Sequence, residues 1–337
     1  MKGARPGSVA RRLLPPGAPG DALVGLARRA RGEVGLLVFL GLLMMLATLI
    51  QPRFANPSNL RDILVQAAPL LMVTMGQAFV ILVRGLDLSV ASLMATVAVL
   101  ATAFEAQSDV MIVPIFVAAI AFSALVGLVN GWLVAGRGVS PFLATLAMMI
   151  LLQGLRFSYT QGAPAGNLPP GFRVIGAGDV LGVPINLLAA LALAVLLGVI
   201  LHRGVLGRRI FIVGGNLRAA TLVGISADRV TVTCYVICSV MAGIGGLFLV
   251  GFVGTVDNWV GRGYELDSIV AAVMGGVALS GGRGSIAGAL LGALILVMIF
   301  NVIVIMGLPV QAQFVVKGVV IIVAAAMYAN WTVRKSL

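Results

Sequence analysis

Apolar segments of roughly membrane-crossing length recur along almost the whole chain, and this limits its fold more than any single motif. A helix needs about 20 apolar residues to cross a bilayer. By that ruler segments fall at 34–50, 63–83, 88–104, 112–134, 142–158, 184–201, 231–251, 268–279, 285–306 and 312–330. The sequence therefore reads as an all-α, polytopic membrane protein of about ten transmembrane helices. Segments 88–104 and 268–279 are short and adjoin Gly-rich hairpins, so the count falls to nine or eight if either is re-entrant. Composition agrees: charged residues make up 10% of the 337 and hydrophobic ones 60%, whereas about a quarter of a soluble domain is charged.

The charges sort by side. Residues 1–33 hold Arg5, Arg11, Arg12, Arg28, Arg29 and Arg31 among Pro and Gly and read as a disordered basic cytoplasmic tail. The Arg11–Arg12 pair is not followed closely by a short apolar run and cleavage site, so a twin-arginine export signal is set aside. With that tail inside, Arg84, Arg137, Arg283, Arg334 and Lys335 also fall on the cytoplasmic side, as the positive-inside tendency requires. Arg156 sits near a span end. The transmembrane region is 34–330, with a cytoplasmic loop at 202–230 and a second tail at 331–337; both termini are cytoplasmic. The net charge of +12 is spread over loops and tails with few interleaved aromatics, which argues against nucleic acid and for topology signals beside membrane lipid.

The polar insert Leu201–Val230 is the exception to the apolar pattern, carrying Arg203, Arg208, Arg209, Arg218 and Arg229. Gly214 and Gly215 break the chain and Asn216 caps a helix start. Leu217–Val223 has room for about two turns before Gly224 stops them. The result is a short helix with a small-residue face, Ala219 and Ala220, between glycine hinges, with Ile225 just beyond. Such an insert is longer than a plain connection needs, so it is either a docking surface or an amphipathic turn resting on headgroups.

Few side chains suggest chemistry. Cys234 and Cys238 lie one turn apart in an apolar span with no other ligand type nearby, and read as packing. His202 reads as interfacial. Asp87, in a Gly-Leu-Asp-Leu-Ser turn where two spans meet close to an interface, caps the helix that starts near Ser89, pairs with Arg84 or, as the minority reading, meets substrate directly. Capping is the expectation. Lys317, about one turn from the outer end of the last span, either lines a polar path or snorkels, and snorkelling is expected. Gly275, Gly276, Gly281, Gly282, Gly284, Gly288 and Gly292 allow close helix packing, and Gly284-x-x-x-Gly288-x-x-x-Gly292 suits intrachain packing or dimerisation. No G-x-x-x-x-G-K-[ST] occurs and the lysines are only Lys2, Lys317 and Lys335, so the chain has no P-loop and no nucleotide site of its own. The hairpins near Gly85–Ser89 and Ser280–Ser285 are too weakly alike to define a repeat.

Four stretches together resemble a known family: GGNLRAATLVGISADRV in the insert, FVILVRGLDLSVASLMA (Phe79–Ala95), GAGDVLGVPINLL (Gly176–Leu188) and the long block from Gly261 to Ile322. They are similar to the ABC-importer permeases of the ribose, xylose and galactose class, in the bacterial inner (plasma) membrane. The second stretch departs from the family's GGIDLSVGS at Arg84, Leu86 and Ala91. The resemblance implies a transport subunit, not an enzyme, that pairs with a second permease chain, identical or not. It also implies an ATPase subunit with two nucleotide-binding domains, which would bind ATP and Mg, and a periplasmic or lipid-anchored sugar-binding protein. Gly215, Asn216, Leu217, Ala219, Ala220, Gly224 and Ile225 would then form the ATPase-coupling element. Outer loops Thr160–Val183 and Gly254–Asp267 would meet the binding protein, with Glu265 and Asp267 as docking carboxylates. The competing readings are an ion-coupled transporter or channel working without an ATPase, for which mid-span carboxylates or histidines are missing, and an intramembrane enzyme, for which no acid pair, Ser/His set or metal set exists.

Overall fold

The computed structural model describes residues 19–104, 108–163, 167–309, 311–319 and 322, with side chains from residue 32 onward. Among the described residues, seven helices are long and apolar enough to cross a membrane. They are α1 (Pro19–Ile50), α2 (Pro57–Leu82), α4 (Ile112–Gly131, continued by a wider π turn to Gly136), α5 (Pro141–Thr160), α7 (Ile185–His202), α10 (Ala227–Val253) and α12 (Ile286–Ile305). Shorter helices are α3 (Val90–Thr102), α6 (Gly171–Ala177), α8 (Val205–Gly215), α9 (Leu217–Leu222) and α11 (Tyr264–Met274). A two-residue hairpin pairs Asp179–Val180 with Val183–Pro184. Residues 311–319 are helical, and most of the last expected span and the tail 331–337 lie outside the described residues. Helix α1 begins at Pro19, so the latter part of the expected disordered tail is helical.

The two short expected spans are both incomplete helices. At about 1.5 Å per residue, 13-residue α3 and 11-residue α11 cover roughly 20 and 16 Å, short of the ~30 Å hydrocarbon core. Non-helical backbone extends each of them: 83–89 before α3 and 275–285 after α11. Such backbone is tolerated at depth only when protein satisfies its polar groups. Here Gly85 N donates to Val80 O (2.9 Å), Ala278 N to Arg283 O (2.9 Å) and Gly282 N to Leu82 O (2.9 Å). The last of these bonds ties the segment 275–285 to the end of α2, where the other irregular segment begins.

Helix α10 is the axis of the bundle, packed against α2, α3, α4 and α6. Small residues make those approaches possible. A Cβ on Gly127 or Gly131 of α4 would strike the α10 backbone at Val236 or Val232, and one on Gly76 of α2 would strike Cys238. Cys234 and Cys238 are accordingly buried and unbridged, as packing groups. The Gly-x-x-x-Gly pair of α12 is used within the chain: Gly288 and Gly292 abut Gly275 and Ala271 of α11 at backbone distance. Without a water-driven gain between helices in lipid, this close packing is what holds the bundle.

Candidate functional site

The polar insert folds into α8 and α9. Helix α9 starts where Asn216 Oδ1 accepts the Ala219 N–H (3.1 Å) and ends before Gly224, whose φ of +74° suits glycine. Ile225 is half-buried and its N–H donates to the Ala220 carbonyl (3.0 Å), folding the exit back on the helix. Ala219 is half-buried, and Gly215 has open space where a side chain would stand. Ala220 corrects the expected small-residue face: it is fully buried against the chain. The outward side is larger and mixes exposed Arg218 and Thr221 with an apolar trio. Leu217, Leu222 and Val223 are 51%, 87% and 67% exposed.

The insert is fixed to the bundle at a three-way junction. Gly214, at the end of α8, lies so close to Leu82 O and to Gly282 that a Cβ there has no room. Arg84 completes the joint, with Nε donating to Gly214 O (2.7 Å) and Nη2 to Gly215 O (2.7 Å). These two carbonyls at a helix C-terminus otherwise lack intrahelical partners. Arg84 adopts φ +66°, unusual for a residue with a side chain, and Gly281 packs on its Cγ. Gly282 supplies the bond to Leu82, Gly284 packs on Val277, Gly275 on α12, and Gly276 borders open space.

Arg84 therefore turns away from Asp87. The Asp87 Oδ1 atom instead accepts from Ser89 N (2.9 Å) and Ser89 Oγ (2.6 Å) at the start of α3. Asn130 Nδ2 donates to Ser89 Oγ (3.0 Å) and Tyr235 OH to Leu86 O (3.3 Å). Gln77, with its amide oriented to match, donates to Asp87 O (3.2 Å) and accepts from Asp87 N (3.1 Å). A negative charge here faces the positive end of α3. Asp87 is wholly buried in protein, and its Oδ2 has no hydrogen-bond partner among the described residues.

On the outer side, Lys317 Nζ lies 2.7 Å from Asp267 Oδ1 and donates to Oδ2 at 3.0 Å, with Phe300 and Phe314 rings 4.9 and 5.3 Å away. Lys317 thus pairs rather than snorkels. Asp267, 7% exposed, is withdrawn from the outer surface on which a docking carboxylate would have to lie. Glu265 is half-buried and accepts the Gly263 N–H (2.9 Å).

The family described as branched-chain amino acid transport system permease component matches residues 59–325, which takes in every contact of the inner junction. The chain belongs to that permease family. It is a multi-pass protein of the inner membrane. It is 36% identical over 293 residues to the ribose import permease protein RbsC of Bacillus subtilis, covering 86% of this chain and 91% of that one. The RbsC of Escherichia coli K12 is 36% identical over 296 residues, with the same two shares. The galactose/methyl galactoside import permease protein MglC of that strain is 30% identical over 322 residues, covering 90% and 96%. No solved structure matches.

Several residues of the permease site escaped the sequence reading. Gln77 and Asn130 are lone amides in apolar spans, a signal that was available. Arg84 sits where the family pattern has glycine, which already hinted at an unusual backbone. The exposed trio Leu217, Leu222 and Val223 was readable only once burial of Ala220 fixed which way α9 faces. The outer hairpin tip, where Leu181 is fully exposed, had no periodic signal.

Proposed function

We propose that the chain is the membrane-spanning subunit of an ATP-driven ABC importer for a monosaccharide or similar small polyol, working by alternating access. Relatives named as ribose and galactose import permeases support the cargo class. The observation that carries the motor is the apolar trio Leu217, Leu222 and Val223, exposed on a capped helix within an otherwise basic insert. Exposed apolar side chains in such a setting mark a protein contact, and a separate ATPase with two nucleotide-binding domains, holding ATP and Mg, is the partner the reading calls for. Closure of that ATPase pushes α9. The backbone joint of Gly214, Arg84 and Gly282 passes the displacement to the turns that border α3 and α11, and the path switches between its inward-facing and outward-facing states. A second permease chain, identical or closely similar, completes the path. A sugar-binding protein docks outside on the 160–183 loop, where Val174, Val180 and Leu181 are exposed, and on the half-buried Glu265 side of 254–267.

The test is purification of the full chain with its native partners, followed by uptake of D-ribose and D-galactose in proteoliposomes. Co-purification of an ATPase and uptake that requires ATP are expected. Uptake by the chain alone would overturn the reading. The unpartnered Asp87 Oδ2 favours one alternative, an ion-coupled transporter, in which uptake would follow a pH or sodium gradient without nucleotide.

A further inference from the structure

The two short helices α3 and α11 both border one cavity of mixed lining in the outer half of the bundle. It has a volume of about 290 Å³ and lies between α3, α5 and the outer segment 256–265, with Ala91, Ser92 and Ala95 on one wall and Glu265 of α11 on another. The volume is at the small end of ligand pockets.

Among apolar Ala91, Ala95, Met149 and Val260, the lining places a set of polar side chains. Arg156 projects from α5 and is 4% exposed; its Nη1 donates to Ser92 O (3.0 Å) and Thr96 Oγ1 (3.3 Å), while its buried Nε has no partner among the described residues. A guanidinium donor left unsatisfied in such a place is costly unless something else occupies it. Asn258, 5% exposed, is held against Thr160, its Nδ2 donating to Oγ1 (3.0 Å). Gln153 adds a half-buried amide on the same face of α5 as Arg156. Trp259 is half-exposed, edge-on to Phe157 at 5.5 Å, with the Arg262 guanidinium 4.8 Å from its ring centre. Arg156 and Arg262 are offset by Glu265 on the cavity wall and by Asp257, whose Oδ1 accepts the Trp259 N–H (2.6 Å). Asp257 lies just outside the lining, and with it counted the two positive and two negative groups leave no net charge, which disfavours an anion or a cation as occupant. Amide, guanidinium and carboxylate groups beside an indole suit a small ring that is rich in hydroxyls and has one apolar face.

We propose that this cavity is a cargo subsite of the permease for a single neutral sugar ring, with Arg156, Gln153 and Asn258 meeting hydroxyls and Trp259 meeting the ring's apolar face. The proposal rests on the sugar-importer reading above and adds the residues that touch cargo. It is tested in the complete complex in proteoliposomes. Gln153→Cys, and separately Met149→Cys on the same wall, are labelled with a small water-soluble maleimide, with Leu222→Cys as a distant control. D-ribose or D-galactose at high millimolar concentration is expected to slow labelling of the first two at least threefold and to leave the control unchanged. If a sugar that the wild-type complex imports with ATP leaves both cavity positions unprotected, the subsite is overturned while the importer reading stands. If the wild-type complex imports neither sugar with ATP, the importer reading fails first, and the subsite fails with it.

Discussion

Asp87 carries two readings that single substitutions separate. If its carboxylate only caps α3, Asp87→Asn keeps an acceptor for Ser89 and retains most ATP-driven uptake, whereas Asp87→Ala loses it and costs about 1 kcal/mol of stability. Loss of uptake in both variants, with folding intact, would favour a carboxylate that titrates during transport. The Asp267–Lys317 pair makes a second prediction. Asp267→Asn or Lys317→Met alone leaves one largely buried partner uncompensated and lowers stability by about 3 kcal/mol, while the double change recovers part of it. Thermal unfolding of the purified complex reads both. A fully additive double variant would mean that the two side chains do not depend on each other. This pair was hidden in the sequence because 50 residues separate its members, and no local pattern links an acid early in one short helix to a lysine in the last span.

At the scale of elements, α9 was legible and its orientation was not. A capping side chain and a stop glycine act on their own neighbours, so Asn216 and Gly224 mark the helix to within a residue of where it lies. Which face looks outward is decided by the seat of the insert on the bundle, and that seat buries Ala220. Ala220→Glu therefore disrupts the insert itself and should raise its sensitivity to protease, whereas Leu222→Asp leaves the fold intact and should lower ATPase association at least tenfold. Equal protease sensitivity of the two variants would contradict that division. Gly224→Val has open space but must adopt φ +74°, at a cost of about 1–2 kcal/mol. It should reduce coupled uptake without reducing membrane insertion. The short helices α3 and α11 were recognisable as weak spans. Their completion by irregular backbone was not, because the bond from Gly282 N to Leu82 O joins segments 200 residues apart, 282 against 82.

At the scale of the molecule, one inner joint links a motor outside the chain to the two interrupted helices within it. The apolar pattern and the arginine distribution were enough to set topology, since both follow from the bilayer as solvent. The joint was not, since it depends on backbone contact between three parts of the chain. The most direct test places a photocrosslinking residue at Leu222, the most exposed large side chain of α9, in native membranes. Capture of an ATP-hydrolysing subunit is expected, in a yield that changes between nucleotide-free and ATP-bound conditions. Illumination that yields no hydrolase adduct, or a membrane-impermeant label that reaches Leu222→Cys from the outer side, would contradict it.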